Sequence, residues 1–288
     1  MNISGHTTPF AVLGHPIGHT LSPIMHNRSI AALEMDAIYL AFDAPPEKLM
    51  SILQSMRDMK FGGVNLTVPL KEVAFRGVDQ LDKSAELSGS VNTIEFLDNG
   101  ELRGHSTDGH GFVTAVKESF DAAINGLSVF VLGSGGAGRA VAITSAEEGA
   151  ARVVVSDIDA ARADKVVEEI QGLFPNVAVE SAGTQTADWA TAAGAADLVI
   201  QATPIGMKPE DTPLLSKEAF REGQMLFDLI YMYPETGIMQ EAIAAGAKAA
   251  NGLGMLLHQG ARSFEIWTGK KPDTKAMREA LESSVYKS

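Results

Sequence analysis

Cysteine is absent from this chain of 288 residues, and its absence excludes disulfide bonds and thiolate chemistry. Long hydrophobic runs are missing as well. The apolar stretch near the N-terminus is short, lacks a basic flank and is broken by Gly14 and Pro16, so neither a signal peptide nor a membrane span is expected. These absences predict a cytoplasmic protein without a membrane partner.

Positive charge is also scarce. The chain has 23 Lys and Arg against 36 Asp and Glu, a formal net charge of −13, and its basic residues form no cluster. Nucleic acid and anionic membranes are therefore not expected as partners. A small anion would have to be held by backbone N–H groups and helix N-termini rather than by the field of the whole protein.

Two further kinds of motif are missing. No serine lies in a G-x-S-x-G elbow, which argues against acyl-enzyme chemistry. We also predict no metal site, because the histidines lie on separate elements without metal-ligand spacing. These histidines are His15, His19, His26, His105, His110 and His258.

Short β-rich runs alternate with longer segments of helical periodicity, which predicts an α/β fold with parallel strands. In the first part of the chain, strand-like runs cover residues 9–17, 37–42 and 62–68, and helical periodicity covers residues 23–33 and 46–56. This pattern indicates an N-terminal α/β domain.

The rest of the chain begins with a different signal, because Asn99-Gly100 lies between two extended runs and predicts a β-hairpin. A helix is expected from about Gly109 to Phe120, and from Ser128 the strand pattern restarts with Ala-rich helical pieces between the strands. The predicted strands cover residues 128–134, 151–157, 176–181, 197–203 and 224–231. The predicted organisation is a substrate domain over residues 1–110, a Rossmann-like, doubly wound nucleotide-binding domain over residues 111–248, and C-terminal helices over residues 249–288 that return to the first domain.

A glycine-rich loop, GSGGAG, lies between a strand-like run and a helix-like run. Gly133 permits a tight turn, Gly135 lets the backbone approach a pyrophosphate, and Gly138 lets the helix lie close to the strand. Ordinary strand-to-helix turns use glycine too. The position of the loop, with a second strand ending in Ser156-Asp157, favours dinucleotide binding.

Asp157 is the residue that bears on the choice of cofactor. A carboxylate at the end of the second strand accepts hydrogen bonds from the ribose 2′-hydroxyl and repels a 2′-phosphate, which favours NAD. The alternative is that Asp157 caps the helix that begins near Ala160, although Asp159 can take that role. Because Arg162 is close in sequence, NADP remains the alternative cofactor.

Three polar stretches each follow a predicted strand, where parallel α/β sheets place ligands: GHTLSPIMHN, GGVNLTVPLKE and RGHSTDGHG. In the first, Ser22 and Pro23 have the arrangement of a helix N-cap followed by proline at the first helical position. Thr20 has no such structural role. The two hydroxyls beside a helix N-terminus suit a substrate carboxylate, and both interpretations of Ser22 stay open.

Lys71 and Asp108 are the candidate residues for proton transfer. Pro69 would open a helix and leave Lys71 in its first turn, where the helix dipole disfavours a cation and so readies the amine for proton transfer. Asp108 would orient the ammonium and hydrogen-bond a substrate hydroxyl, or it would only cap the helix that follows. A solvated surface lysine is the alternative for Lys71, and spacing alone does not bring the two side chains together.

Taken together, these stretches resemble the shikimate and quinate dehydrogenase family over residues 10–269. The motifs that carry the resemblance are GHPIGHTLSPIMHN, GVNLTVPLK, SVNTI, STDGHGF, GSGGAGRA, QATPIGM, DLIY and GLGMLLHQGA. The resemblance implies an NAD(P)-dependent oxidoreductase that interconverts shikimate and 3-dehydroshikimate by hydride transfer. Since no sustained heptad or apolar stripe is visible, a monomer and a homodimer are both expected alternatives.

The resemblance also implies roles for individual residues. Lys71 and Asp108 would form the catalytic pair, and Thr20 and Ser22 would bind the substrate carboxylate. Ring hydroxyls would be bound by Thr67, Asn92 and Gln259. The cofactor would be bound by Gly133, Gly135, Gly136 and Ala137 at the pyrophosphate, by Asp157 at the ribose, and by Thr203, Tyr231, Gly252 and Met255 around the nicotinamide half.

The sequence departs from the family pattern at several positions. Thr20 stands where serine is usual, Gln201 and Ser106 stand where asparagine is usual, and Asp157 stands where NADP-dependent members have arginine. The last departure favours NAD. The sequence leaves three candidate functions to be tested: an NAD-preferring shikimate dehydrogenase, a quinate or dual quinate/shikimate dehydrogenase, and a non-catalytic protein that binds NAD or a shikimate-like acid.

Overall fold

Each of the two predicted series of strands forms its own sheet in the computed structural model, which describes residues 3–286. The described chain divides into two units. The first unit comprises the chain up to Gly111 and the part from Leu256 onward, and the second unit is Phe112–Met255. Within the described residues, we find no helix that is both long and apolar enough to cross a membrane.

The first unit contains a six-stranded mixed sheet. Its strands are β1 (Thr8–Gly14), β2 (Ala37–Asp43), β3 (Gly63–Leu66), β4 (Gln80–Leu81), β5 (Thr93–Phe96) and β6 (Leu102–His105). Its helices are α1 (Ser22–Ala32), α2 (Leu49–Asp58), α3 (Leu70–Gly77), α4 (Lys83–Ser88) and α11 (Thr274–Val285). Two further helices, α5 (Asp108–Phe120) and α10 (Leu253–Thr268), each begin in one unit and end in the other. The strand order is β2-β1-β3-β5-β6-β4.

Strand direction changes within this sheet at the predicted hairpin. The pairs β1–β2 and β1–β3 are parallel, whereas β5 is antiparallel to both β3 and β6. The turn between β5 and β6 is closed by a hydrogen bond from Gly100 N to Leu97 O of 2.9 Å, and Gly100 has a φ of 86°, which glycine adopts without strain. The hairpin is confirmed, and the sheet is mixed rather than wholly parallel.

The second unit contains a six-stranded parallel sheet. Its strands are β7 (Ser128–Leu132), β8 (Arg152–Ser156), β9 (Ala178–Ser181), β10 (Leu198–Gln201), β11 (Met225–Asp228) and β12 (Lys248–Asn251), and its other helices are α6 (Gly136–Glu147), α7 (Ala160–Leu173), α8 (Thr186–Ala195) and α9 (Gly237–Ala244). The order β12-β11-β10-β7-β8-β9 is that of a doubly wound dinucleotide-binding fold. The sequence KAAN gave no strand signal for β12, which has no β-branched or aromatic residue and forms by pairing with β11.

Strand β7 illustrates why the strands of this unit are continuous apolar runs. Val129 and Val131 pack into one apolar cluster, and Phe130 and Leu132 pack into another. Alternate side chains of a strand point to opposite faces, so both faces of the sheet are covered by helices. The site of this unit is therefore confined to the sheet edge.

Strand β2 lies at the edge of the first sheet, and its outward backbone groups at Tyr39 are covered by a side chain. Asn27 of α1 donates from Nδ2 to Tyr39 O at 2.8 Å and accepts at Oδ1 from Tyr39 N at 2.9 Å. The amide of Asn27 thus takes the place of a neighbouring strand at this residue.

Candidate functional site

The predicted substrate-binding residues of the first unit follow adjacent strands. Strands β1 and β3 pair in parallel, so their carboxyl ends lie at the same edge of the sheet. The loops after them are joined by a hydrogen bond from His15 N to Val68 O of 3.2 Å. The site residues in these two segments are Thr20, Ser22, Thr67 and Lys71.

The β5–β6 hairpin brings two more predicted site residues, Asn92 and Asp108, to the sheet edge at the carboxyl ends of β1 and β3. Because β5 is antiparallel to β3, Asn92 stands just before β5 at the carboxyl end of β3, and its backbone carbonyl accepts from Leu66 N at 2.8 Å. Because β6 is antiparallel to β5, Asp108 follows its carboxyl end at the same edge. Residues that are distant in the sequence therefore meet at one place.

Lys71 and Asp108 form an ion pair. Lys71 Nζ donates to Asp108 Oδ2 at 2.6 Å, and Asn92 Nδ2 donates to Asp108 Oδ1 at 2.9 Å. The two charged side chains keep 29% and 16% of their surface exposed, so the pair is shielded but reachable. With Pro69 as its N-cap, helix α3 has Lys71 in its first turn, as predicted.

Asn92 connects the pair to the surrounding polar residues. It is buried, its Oδ1 accepts from Thr107 N at 2.9 Å, and its Nδ2 lies 2.9 Å from Thr107 Oγ1 and 3.4 Å from Gln259 Oε1. Helix α5 begins at Asp108 itself, and Thr107 is the residue that precedes it. The carboxylate of Asp108 is thus engaged by Lys71 and Asn92 at the start of the helix.

Thr20 and Ser22 lie together, but Ser22 does not have the predicted capping role. Helix α1 begins at Ser22 with Leu21 as its N-cap, and no side chain of the described residues caps it. Thr20 Oγ1 lies 3.3 Å from both the hydroxyl oxygen and the backbone N of Ser22. The N-cap prediction is wrong, because α1 begins at Ser22 itself and the Ser22 hydroxyl is engaged by Thr20 instead of by the first turn.

Thr67 is positioned by the strand next to it. Its backbone N donates to Leu13 O at 2.9 Å, and its carbonyl accepts from Leu70 N at 2.8 Å at the turn into α3. A Cβ at Gly14 would lie 2.6 Å from the Thr67 methyl carbon, so glycine is needed for the two loops to approach. A role of Thr67 toward a ring hydroxyl stays a prediction.

The predicted cofactor residues of the second unit also lie at a single sheet edge. Each follows the carboxyl end of a different parallel strand, or the helix turn after it, and this edge is where open α/β sheets bind ligands. They are Gly133, Gly135, Gly136 and Ala137 after β7, Asp157 after β8, Thr203 after β10, Tyr231 after β11, and Gly252 and Met255 after β12.

The glycine loop has the geometry that a pyrophosphate requires. Gly133 has a φ of 101°, and a Cβ at Gly138 would lie 1.8 Å from Gly133 O, so both positions require glycine. Apart from chain neighbours and the nearby backbone of the same helix, no atom of the described residues lies within 4 Å of a Cβ built on Gly135 or Gly136. Helix α6 begins at Gly136 and has no side-chain cap among these residues, and the binding of phosphate oxygens by its N–H groups stays a prediction.

Asp157 is bound to the glycine loop and does not cap helix α7. Its Oδ2 accepts from Ser134 N at 2.8 Å and from Ser134 Oγ at 2.9 Å, and its Oδ1 accepts from Asp159 N at 3.0 Å. The capping alternative is wrong, because Asp159 is the N-cap and accepts from Ala161 N at 3.1 Å.

The same contacts keep Asp157 negatively charged. Partial burial raises the pKa of Asp157, but the hydrogen bonds from Ser134 and Asp159 and the charge of Arg162 outweigh it, and the pKa lies below its usual value. A carboxylate has about four acceptor sites, of which three are in use here. One acceptor site remains beyond these three hydrogen bonds, and its use by a ribose hydroxyl stays a prediction.

Gln201 holds the loop that carries Thr203. It is 1% exposed, its Oε1 accepts from Thr203 N at 2.7 Å, and its Nε2 donates to Ile205 O at 2.9 Å. A Cβ at Gly133 would lie 2.9 Å from the Thr203 methyl carbon, so this loop and the glycine loop are neighbours. Gln201 was noticed only as a departure from the family pattern, and its loop-holding role was missed.

The two remaining loops, after β11 and β12, carry Tyr231 and Gly252. A Cβ at Gly252 would lie 2.2 Å from Leu229 O, and burial raises the pKa of the partly buried Tyr231. Asp228, at the end of β11, accepts from Thr236 Oγ1 at 2.5 Å and from Ile230 N at 3.0 Å, and burial raises its pKa to about 6. The sequence pattern gave no role to Asp228.

Two residues of the first unit that the sequence analysis missed are Tyr39 and Asn65. Tyr39 OH donates to Asn65 Oδ1 at 2.7 Å, and both side chains are buried. A polar Asn inside the apolar strand GVNL was a signal for such a network. No group of three His, Asp or Glu side chains suited to a metal ion occurs within the part of the chain that the structure describes.

Two family models match parts of this chain, and both matches lie mainly in the first unit. A family model described as the shikimate dehydrogenase substrate binding domain matches residues 12–94, and one described as the shikimate 5′-dehydrogenase C-terminal domain matches residues 252–282. A protein of Methanopyrus kandleri named shikimate dehydrogenase (NADP(+)) is 38% identical, covering 98% of this chain and 97% of its own.

Solved structures give the same result. The shikimate 5-dehydrogenase of Listeria monocytogenes in complex with shikimate and NAD has a TM-score of 0.91 at 34% identity, covering 98% of each chain. The quinate dehydrogenase of Corynebacterium glutamicum in complex with NAD has a TM-score of 0.88 at 28% identity, covering 96% of this chain and 99% of that one. The chain belongs to the shikimate dehydrogenase family and is an oxidoreductase of the shikimate/quinate dehydrogenase type.

Proposed function

We propose that this enzyme prefers NAD and interconverts shikimate and 3-dehydroshikimate, with Lys71 and Asp108 moving the proton. The observation that carries the proposal is the Lys71–Asp108 pair of 2.6 Å, held by Asn92 at the carboxyl edge of the first sheet. Binding without turnover would not need a charged pair that is both shielded and reachable.

The alcohol that is oxidised must lose a hydride from carbon and a proton from oxygen. The oxidised cofactor, when bound, supplies the hydride acceptor. The hydroxyl proton passes to Lys71 Nζ while the proton that Nζ donates to Asp108 Oδ2 moves onto that carboxylate oxygen, so the pair gains one proton in total. Asn92 Nδ2 holds the other carboxylate oxygen of Asp108. In the reductive direction the same pair returns the proton to the oxygen.

Substrate binding is assigned to the polar residues at the same edge. Thr20 and Ser22 would bind the carboxylate beside the N-terminus of α1, where the helix dipole favours an anion. Thr67, Asn92 and Gln259 would bind the ring hydroxyls. Asn92 Nδ2 lies 3.4 Å from Gln259 Oε1, and this closeness of the two amides supports the assignment.

The cofactor preference rests on Asp157. Its low pKa keeps a negative charge beside the glycine loop, where a 2′-phosphate would be repelled and a ribose hydroxyl would be bound. Relatives that are named as NADP(+)-dependent match nearly the whole chain. The proposed preference for NAD therefore rests on Asp157 and not on membership of the family. Arg162 is engaged with Asp159, at 3.4 Å between Nε and Oδ2.

Quinate is the second candidate substrate. The Corynebacterium glutamicum relative is a quinate dehydrogenase in complex with NAD. Thr20 adds a methyl at the proposed carboxylate site, next to the carbon at which quinate carries an additional hydroxyl. The methyl group of Thr20 bears only on which acid is the better substrate. The assignment of proton transfer to Lys71 and Asp108 is the same for both acids.

One steady-state experiment tests both parts. We would measure kcat/KM for shikimate and for quinate, each with NAD⁺ and with NADP⁺. A higher value with NAD⁺ and shikimate is expected. A higher value with NADP⁺ would remove the proposed role of Asp157, and a higher value with quinate would establish the second candidate.

A further inference from the structure

A pair of fully buried hydroxyl groups is joined to the amide of Asn92. Thr93, at the start of β5, and Ser263, on α10, are both 0% exposed. Their oxygens lie 2.7 Å apart, and Thr93 Oγ1 donates to Asn92 Oδ1 at 3.0 Å. Because neither hydroxyl reaches the surface, neither touches a ligand, and an effect on the reaction must pass through Asn92.

The amide of Asn92 has a fixed orientation. Its Nδ2 donates to Asp108 Oδ1 at 2.9 Å, and a carboxylate oxygen only accepts, so Nδ2 must face Asp108. Its Oδ1 accepts from Thr107 N at 2.9 Å and from the Thr93 hydroxyl. The Thr93 hydroxyl is thus one of the donors that fix the oxygen of this amide while its nitrogen holds the carboxylate.

Thr93 is itself held by two buried side chains from other elements. Asn65 Nδ2, on β3, lies 3.1 Å from Thr93 Oγ1 and 3.0 Å from Ser263 Oγ. A hydroxyl has one proton. With the proton of Thr93 donated to Asn92, the contact of 2.7 Å requires Ser263 to donate to Thr93. The other acceptor for Ser263 is Gln259 O, which is farther away at 3.1 Å.

We propose that Thr93 and Ser263 are positioning residues for proton transfer. The hydrogen bonds run in one direction, from Ser263 through Thr93 to Asn92, whose Nδ2 then donates to the carboxylate of the ion pair. Successive hydrogen bonds of this kind strengthen one another in a buried site. Loss of either hydroxyl releases the Asn92 amide and, with it, the carboxylate. This inference rests on the proposed proton transfer by Lys71 and Asp108.

Two variants of Thr93 test this role, because one keeps the shape of the side chain and the other keeps its hydroxyl. Thr93→Val should lower kcat on the order of 10-fold, since the hydrogen bond to Asn92 is lost, and should leave the KM for NAD⁺ unchanged. Thr93→Ser should stay within about 3-fold of the parent kcat, since the hydroxyl remains. A packing role would give the opposite order, because valine fills the space and serine leaves a cavity.

A double-mutant cycle with Asn92→Ala shows whether Thr93 acts through that amide. In the Asn92→Ala background, Thr93→Val should lower kcat by less than about 2-fold. Ser263→Ala should lower kcat severalfold in the parent background. Its matched control is Ser29→Ala, at another fully buried serine of a helix in the first unit, whose Oγ accepts from Asp273 N at 2.9 Å. The control should keep the kcat of the parent.

Melting temperatures show whether each variant folds, and if Thr93→Val does not, the comparison of Ser263→Ala with Ser29→Ala decides the question. The positioning role is overturned by a Thr93→Val or Ser263→Ala variant with the parent kcat, by a Thr93→Ser variant as slow as Thr93→Val, or by additive effects in the cycle. The proposed function survives these results if Lys71→Ala removes most of the turnover of shikimate. A Lys71→Ala variant as active as the parent would overturn both.

Discussion

The first unit builds its candidate site from side chains, whereas the second builds its site from backbone. In the first, an ion pair and buried amides at the sheet edge define the position of each polar atom. In the second, the loop presents N–H groups of a helix N-terminus, and its glycines leave room for a ligand. Backbone donors suit any dinucleotide, so the first unit determines which substrate reacts.

The two sites should also respond differently to substitution. A side-chain network loses function when one atom is removed, because its partners are left unpaired. A backbone site tolerates changes at most positions and fails only where an added atom has no space, as at Gly138. In the second unit, Asp157 adds a charged side chain to a site that is otherwise generic.

The largest expected effect is in the first unit, where Lys71→Ala removes the group that exchanges the proton with substrate. We expect kcat to fall about 10²- to 10⁴-fold, with an unchanged Kd for NAD⁺ by fluorescence titration. Lys48→Ala, at an exposed lysine of the same unit, is the control and should keep full activity. A Lys71→Ala variant that retains more than about a third of the kcat would contradict the proton-transfer role.

The next effect concerns stability in the second unit. Burial raises the pKa of Asp228 to about 6 from the model-compound value of 3.8, so the folded protein holds this proton more tightly than the unfolded chain. Its contribution is fully present below about pH 4 and is lost as the pH rises to about 6, a change of about 3 kcal/mol.

Asp228→Asn should remove that pH dependence, as measured by the melting temperature between pH 4 and 7. Glu222→Gln, at an exposed carboxylate of the same unit, should leave the dependence as it is. Parallel pH curves for the parent protein and Asp228→Asn would show that Asp228 ionises in the folded state as it does in the unfolded chain.

A smaller effect, on the choice between NAD⁺ and NADP⁺, is expected at Asp157, the charged side chain beside the glycine loop of the second unit. Asp157→Asn keeps an acceptor for Ser134 but removes the negative charge, so the ratio of kcat/KM for NAD⁺ over NADP⁺ should fall on the order of 10-fold. Asp159→Asn changes the neighbouring carboxylate, which caps α7, and should leave the ratio nearly unchanged. Equal ratios in the parent and Asp157→Asn would mean that another residue selects the cofactor.

The smallest effect concerns the carboxylate site. Thr20→Ser keeps the hydroxyl and removes one methyl group, which is worth about 0.8 kcal/mol and so less than about 4-fold in kcat/KM. The informative quantity is the ratio of kcat/KM for quinate to that for shikimate. A ratio that changes by more than about 10-fold would mean that the methyl selects between the acids, whereas an equal loss for both would assign it a packing role only.

The sequence was sufficient for features that depend on neighbouring residues. The hairpin at Asn99-Gly100, the strand before the glycine loop and the helix after it all follow from local pattern and turn chemistry. The order of the parallel strands in the second unit follows from the family resemblance and the fold class. The hairpin, the strand and the helix are encoded by a short window of sequence, whereas the strand order is a property of the fold class.

Features that depend on side-chain direction could not be predicted from local pattern, and the pairing of Lys71 with Asp108 was implied only by the family resemblance. Lys71 and Asp108 are far apart in sequence, and their contact requires the reversal of chain direction between β3 and β6. Ser22 was predicted to cap α1, but α1 begins at Ser22 itself, with Leu21 as its N-cap. Strand β12 has no sequence preference for a strand and forms by pairing with β11. For the ion pair and for β12, a tertiary partner outweighs the local preference.

The contact of Asn27 with Tyr39 has a consequence for behaviour at high concentration. An edge strand with free N–H and C=O groups invites strands from other molecules, and β2 is seven residues long and largely apolar. Asn27 occupies both outward groups of Tyr39 at the centre of that strand. A strand from another molecule would have to displace the Asn27 amide before it could pair along β2. The Asn27 side chain therefore opposes edge-to-edge aggregation.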